Sequence, residues 1–261
     1  MSASNAQAQI ELHRALAPRY AYRYSLDFSR MFQDDWHREM MSFMPNSARR
    51  VLDLGCGTGF FLAELGKVRP GAVGLDISHD MLRVSEKYVP GARVITADAE
   101  TLPFADGSFD AIFCKGCLHH TRDHVGFLSK CRRALSKDGV MILSEPCNDN
   151  FLIRWARATL YFFSPYFDLG DKGFKKEGLR ELCERAGFEV VAARRYGVFA
   201  YLFGGFPDHL GVFRHVPANT TVMRWLIRFD RWIVSTRVLR ICAFQIVMAA
   251  RPRPDAARPG Q

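Results

Sequence analysis

The stretch VLDLGCGTGFFLAELGKV, residues 51–68, limits the fold more than any other part of the chain. Its opening apolar run is too short for a core helix and reads as a buried strand, VLDLGCG (51–57). Gly55, Gly57 and Gly59 break the run, and a helical pattern starts at Phe60. Glycines at such a junction let the backbone turn sharply and let a ligand approach it closely. The alternation then repeats. AVGLDIS (72–78) reads as a second strand and HDMLRVSEKYV as a second helix. ARVITADAE (92–100) reads as a third strand, and FDAIFCKG (109–116) as a fourth, followed by the helix HVGFLSKCRRALS. GVMILSEP (139–146) is a fifth, introduced by Lys137, Asp138 and Gly139. Strands alternating with helices imply right-handed crossovers and a parallel sheet covered on both faces.

Outside this block the pattern loosens. Residues 9–44 read as one or two amphipathic helices, broken by Pro45 and Asn46. Residues 148–169 are aromatic and basic. KKEGLRELCERAGFEVVAARRY implies a helix, a stop at Gly187 and a sixth strand, and FQIVMAARP (244–252) alternates like a last one. Residues 197–241 are again aromatic and arginine-rich, and the tail RPRPDAARPGQ has the composition of a disordered segment.

Size and composition exclude several classes. A chain of 261 residues that is 48% hydrophobic can bury one large core. The amino terminus lacks a basic region followed by an apolar run, so no signal peptide is expected. The longest charge-free stretches are about ten residues against the ~20 a bilayer span needs, so no transmembrane helix is expected. Seven cysteines at irregular spacing fit reduced thiols and a cytoplasmic location better than a disulfide framework. A net charge of +9 attracts phosphate-bearing partners, or is simply a soluble basic surface.

The glycine loop alone would suit several nucleotides. GCGTG is not the G-x-G-x-x-G of a dinucleotide site, and Asp53 lies two residues before the first glycine. A carboxylate there repels a phosphate and suits a cationic amino group. Asp76 and Asp98 follow apolar strands, at the carboxyl edge where open α/β sheets bind ligands. Asp76 comes 17 residues after Gly59, near the ~20 expected of a ribose-binding acid. Each acid alone reads equally as a helix N-cap or a solvated turn. The set, in this order, reads as a nucleoside site.

VLDLGCGTG, GLDIS, ADAETLPFADGSFDAIFCKGCLHH and RALSKDGVMILSEP together resemble the class I S-adenosylmethionine-dependent methyltransferases, in the broad group that includes the ubiquinone/menaquinone methyltransferases. The resemblance covers roughly residues 50–146, with weaker support from 178–196 and 244–251. It implies a Rossmann-like α/β fold with seven mostly parallel strands, helices on both faces, and the last strand antiparallel beside the sixth. Residues 46–252 would be the methyltransferase domain, 1–45 a helical N-terminal lid, 147–177 and 197–241 acceptor-side insertions, and 253–261 a disordered tail. The cofactor would be S-adenosylmethionine. Asp53 and the loop of Gly55, Cys56, Gly57 and Gly59 would hold its methionine part. Asp76 would take the ribose hydroxyls and Ile77 would lie against the adenine. Asp98 would face the adenine amino group and the Ala99 amide a ring nitrogen, with Met81 and Glu100 completing the lining. Cys114, Lys115 and Gly116 would form the wall near the methionine amino group.

The cluster FCKGCLHHTRDH (113–124) can be read as zinc site, redox pair or pocket wall. A structural zinc site wants four ligands, often as two separated pairs, and a thioredoxin-like pair wants a helix start after the first strand. Cys114 and Cys117 straddle the end of the fourth strand instead, so a pocket wall is expected and no metal. His119 or His120 would then be a general base, since imidazole titrates near neutral pH, or both would be structural. The family's base-modifying members carry Asn/Asp-Pro-Pro-Tyr/Phe at this point. Lys115–Leu118 lacks it, which argues against DNA amino-methylation and glutamine methylation.

The acceptor would be framed by the aromatic segments 9–44, 147–177 and 197–241, with Tyr20, Tyr22, Tyr24 and Arg30 as candidates to close over the cofactor. Residues 222–241 form a basic amphipathic helix suited to a membrane surface or to packing as an ordinary cap. The expected activity is methyl transfer to a small-molecule or lipid-like acceptor at a hydroxyl. DNA is not expected as a partner, and RNA is disfavoured. The alternatives are a tRNA methyltransferase of the same fold and a non-catalytic cofactor-binding or partner-binding protein.

Overall fold

The computed structural model describes residues 22, 24–151, 153–155, 159, 173–205, 207 and 211–254. Tyr20, most of the N-terminal segment before α1, most of 156–172 and the tail from 255 lie outside them. The strands are β1 (Val51–Leu54), β2 (Val73–Asp76), β3 (Arg93–Thr96), β4 (Phe109–Lys115), β5 (Leu135–Pro146), β6 (Phe188–Tyr196) and β7 (Gln245–Pro252). They form one sheet in the order β3-β2-β1-β4-β5-β7-β6. The first five strands pair in parallel, whereas β7 runs antiparallel to both β5 and β6. The order reverses between β1 and β4, so the carboxyl ends of those strands flank the crevice in which open α/β sheets take ligands.

Helices α1 (Asp27–Met41), α2 (Phe60–Val68), α3 (His79–Tyr88), α4 (His124–Ala134), α5 (Lys176–Arg185) and α6 (Asn219–Ser235) cover the sheet. Successive strand residues face opposite layers. Val51, Ala111, Phe113, Val140 and Ile142 join a core with α1, α2 and α6, whereas Leu52, Leu54, Ile112, Met141 and Leu143 join one with α4 and α5. Both faces are therefore dry, which is why these strands read as continuous apolar runs.

Among the described residues the seven expected strands are all present, with shifted ends. β1, β2 and β3 stop at Leu54, Asp76 and Thr96, short of the predicted 57, 78 and 100. In each case the ladder stops where the backbone turns toward the ligand edge. α4 ends at Ala134 and β5 begins at Leu135, which pairs with Phe109, four residues before the predicted start. The helix expected over 222–241 is α6, which starts at Asn219 and ends at Ser235. Thr236 adopts an extended conformation there, and the Ser235 and Thr236 hydroxyls both donate to the Trp232 carbonyl.

α1 is the described helix of the N-terminal segment and is tied down at several points. Trp36 Nε1–H donates to Ser144 Oγ at 3.0 Å on β5, and Ser29 Oγ donates to the Gly204 carbonyl at 2.7 Å. Asp35, nearly buried, accepts from Tyr196 of β6 at 3.0 Å and from Arg231 of α6 at 2.5 Å. Removing one partner of such a nearly buried node costs several times what an exposed pair contributes. From α6, the buried Asp230 accepts the backbone N–H groups of Val198, Phe199 and Ala200 at 2.7, 2.9 and 2.9 Å, fixing the turn after β6.

Candidate active site

The glycine loop leaves β1 and opens α2. Gly55 and Cys56 donate to the Leu75 carbonyl at 2.8 and 3.0 Å, stitching the loop to β2. Gly57 has φ +53 and donates to Asp76 Oδ2 at 2.8 Å, and a Cβ added at Gly57 would meet nothing within 4 Å. Gly57 therefore exposes bare backbone to open space, the form a ligand cradle requires. Gly59 serves packing instead. Its φ is +80 and an added Cβ would lie 2.7 Å from Ser85 Cβ on α3. Gly59→Ala is thus expected to cost about 2–4 kcal/mol, from left-handed strain and overpacking together. The unfolding temperature should fall by roughly 5–15 °C, which calorimetry would show. An unchanged value would refute the packing role.

Asp53 sits at the middle of β1 and is 2% exposed, with its Oδ2 lacking any hydrogen-bond partner in the protein. Burial pushes its carboxyl up to about 7; Lys115 pulls the other way and the charge of Asp76 adds to the rise. An orphaned buried acceptor of this kind is a site held ready for a donor, preferably a cationic one.

Lys115 closes the site from β4. Its ammonium donates to Gln33 Oε1 at 2.9 Å and to His37 Nε2 at 2.8 Å, both on α1, and lies 4.2 Å from the Trp36 ring centroid. Lysine has donors only, so His37 Nε2 accepts and its proton is on Nδ1. That Nδ1 is buried and has no partner. Burial holds the imidazole well below its ordinary pKa, and the nearby charges of Lys115 and Arg38 lower it further. Tyr24 stacks on Phe60, the first residue of α2, with centroids 3.6 Å apart, and so covers the exit of the glycine loop. Tyr22 is exposed, and Arg30 is bound to the Tyr24 carbonyl at 3.0 Å.

Beyond β4 the loop is organised by Glu145 of β5, which is fully buried. Its Oε1 accepts the N–H groups of Cys117 and Leu118 at 3.2 and 2.9 Å, and its Oε2 takes His119 Nδ1 at 2.6 Å. The His120 ring lies against His119, with centroids 4.0 Å apart. Cys114 points its thiol at Glu145 Oε1, 3.9 Å away, and is itself fully buried, so it lies beneath the loop. All seven cysteines are free, and among the described residues no group of three or more His, Cys, Asp or Glu is placed to hold a metal ion.

The structure thus gathers Asp53, Gly57, Asp76 and Lys115 at one edge of the sheet. Asp76 spends part of its capacity within the protein: Oδ2 on Gly57 and Oδ1 on Ser78 N–H at 2.8 Å. Asp98 is brought to this edge by the Ala97 N–H bond to the Asp76 carbonyl, and its Oδ1 accepts from Glu100 N–H at 2.8 Å. Ile77 and Ala99 are half-buried, and Met81 is buried at the start of α3. Cys56 turns its sulfur toward Gly74, where an added Cβ would lie 2.8 Å away. Glu100 directs its carboxylate to Arg122 N–H at 2.6 Å, bracing the loop after β4. Sequence reasoning missed Gln33, His37 and Glu145. The first two sit on a helix whose pattern reads only as amphipathic; Glu145 was visible as an acid inside an apolar strand, a signal in its own right.

A switch-point crevice, a glycine loop with an orphaned acid before it, and a second acid at the end of β2 are together features of a class I methyltransferase fold. Comparison agrees: residues 52–143 match the methyltransferase domain family, so that stretch of the chain is a methyltransferase domain. A malonyl-[acyl-carrier protein] O-methyltransferase of Legionella pneumophila is 31% identical over 145 residues, 51% of each chain. A demethylmenaquinone methyltransferase of Thermotoga maritima is 34% identical over 113 residues, 42% of this chain and 49% of that one. The chain spans about half the length of these curated relatives. A crystal structure of a methyltransferase from Thermotoga maritima, at 20% identity, has the same fold, with a TM-score of 0.63 over 94% of this chain and 99% of that one.

Proposed function

We propose that this protein transfers the methyl group of S-adenosylmethionine to the hydroxyl of a small or lipid-like acceptor in the cytoplasm. The residues present fit the cofactor. Its methionine end is a zwitterion, which needs an acceptor for the ammonium and donors for the carboxylate. The unpartnered Asp53 Oδ2 supplies the first, and Lys115 with the His37 Nδ1–H supplies the second. Asp76 and Asp98 take the ribose and adenine. Bound there, the cofactor supplies an electrophilic methyl group on a sulfonium.

The pairing of His119 with Glu145 carries the choice of a hydroxyl. Glu145 accepts Nδ1–H, which fixes the ring and leaves Nε2 as its basic nitrogen. In the transfer, His119 Nε2 would take the proton of the acceptor hydroxyl. The protein's other task is alignment of nucleophile and methyl carbon. Aromatic side chains of α1 and of 197–241 suit an apolar acceptor, in keeping with a relative named for demethylmenaquinone.

Calorimetric titration with S-adenosylmethionine tests the first half. Asp76→Ala should weaken binding by about tenfold to a hundredfold, the loss of charge-assisted hydrogen bonds. Labelled S-adenosylmethionine with lipid, phenolic and RNA extracts tests the second. Label in lipid or phenolic material supports the proposal. Label confined to RNA would replace it with tRNA modification, and binding without transfer to any fraction would replace it with a non-catalytic role.

A further inference from the structure

Helix α6 carries a face that the fold leaves bare. Met223, Ile227, Asp230 and Ile233 are buried against the body. At about 100° per residue, Trp225, Phe229 and Trp232 form a separate stripe turned away from it. They are 65%, 46% and 56% exposed. Arg224, Arg228 and Arg231 form a second stripe along one flank of this crest. The chain beyond α6 continues in kind: Arg237, Val238, Leu239, Arg240 and Ile241 are all exposed. The rings brace one another. Phe229 stacks on Trp232 at 5.6 Å and on Phe199 at 5.9 Å, and Arg228 lies 5.6 Å from the Trp225 ring centre.

Single exposed apolar residues are ordinary, but a contiguous aromatic crest on a basic helix marks an interaction surface. Its charge is one-sided. Residues 211–244 contain six arginines and one acid, Asp230, whose carboxylate is buried on three backbone N–H groups. We propose that α6 and the segment to Ile241 dock the protein on an anionic lipid bilayer. The helix lies in the interface, with the crest at the headgroup–acyl boundary and the arginines on lipid phosphates. Tryptophan and arginine are the side chains that favour this depth. Among the described residues no helix is long and apolar enough to cross a membrane, so the contact is superficial. A second copy fits poorly, because a two-fold contact through α6 would bring the arginine rows of both copies together. The docking does not depend on the acceptor, and its test reads binding rather than turnover.

The test is co-sedimentation of the full chain with vesicles of phosphatidylcholine alone and of phosphatidylcholine mixed with phosphatidylglycerol. Binding to the mixed vesicles only, weakened by salt, is the expected result. The pair Arg224→Glu and Arg228→Glu should lower the partition coefficient by about 25-fold or more, at about fivefold per arginine. Arg231 is left in place because of its pair with Asp35. Trp225→Ala with Trp232→Ala should lower it by about tenfold or more. Both double variants should keep wild-type circular dichroism and S-adenosylmethionine affinity, since neither alters the core or the site. Three results would overturn the proposal: wild type remaining in the supernatant with mixed vesicles, folded variants binding as well as wild type, or a wild-type dimer in sedimentation velocity that the tryptophan variant converts to monomer.

Discussion

Asp53→Asn is expected to weaken S-adenosylmethionine binding by about a hundredfold near pH 8, yet to raise the unfolding temperature of the ligand-free protein. The two effects share one cause. Burial raises the Asp53 carboxyl to about 7, so the folded protein holds a proton that the unfolded chain releases near pH 4. The raised value means stability falls as pH rises between those two points and levels off above about 7, where the folded carboxyl is ionised as well. The stabilising effect of asparagine, on the order of a few kcal/mol at most, should therefore be absent near pH 4 and complete above about pH 7. Binding of an ammonium group needs the ionised carboxylate. Wild-type affinity should then drop by about tenfold per pH unit below 7, with proton release visible in buffers of different ionisation enthalpy. Calorimetry of binding and unfolding on both proteins checks this. Equal affinity in the two proteins would remove Asp53 from the site.

His119→Ala should lower kcat by about 10²–10⁴-fold with S-adenosylmethionine affinity unchanged, the range for loss of a general base. Glu145→Gln separates positioning from folding. Glutamine replaces one acceptor oxygen with a donor, facing a set of groups that all donate: Cys117 N–H, Leu118 N–H and His119. That mismatch should cost about 2–4 kcal/mol of stability. It should also lower kcat, because the ring of His119 loses the acceptor that orients it. A His119→Ala enzyme with an undiminished rate would leave alignment alone as the catalytic device. A stable Glu145→Gln protein with an undiminished kcat would show that the carboxylate does not hold the ring.

The sheet and the glycine edge were legible because local pattern and tertiary position agree there. VLDLGCGTG is apolar where both faces are covered and glycine-rich where the backbone must bend. Asp76 and Asp98 follow apolar runs, so their place at the ligand edge follows from the topology alone. The length of α6 was not legible. Arginine and apolar residues continue at helical spacing through 241, and the stop depends on hydroxyls folding back on the Trp232 carbonyl. The partners of Lys115 were not legible either. Gln33 and His37 are about 80 residues away in the chain, and only the docking of α1 across β4 and β5 brings them to the ammonium. The place of the histidine doublet after β4 was legible, but the pairing of His119 with Glu145 was not, because no spacing rule supplies that side-chain direction.

The insertion of β7 between β5 and β6 has a consequence for how the chain acquires its shape. Among the described residues β6 stands at the sheet's edge and pairs with β7 alone. It cannot join the ladder until residues 245–252 have been synthesised and have found β5, about a hundred residues earlier in the chain. Closing so long a loop is slow, and slower still for a strand that must fit between two others. The parallel half, β1 to β5, can assemble during translation, while β5 waits with an unpaired edge of Met141, Ile142 and Leu143. That edge is the point at which nascent chains of this protein are exposed to mispairing, and the one a chaperone would have to shield.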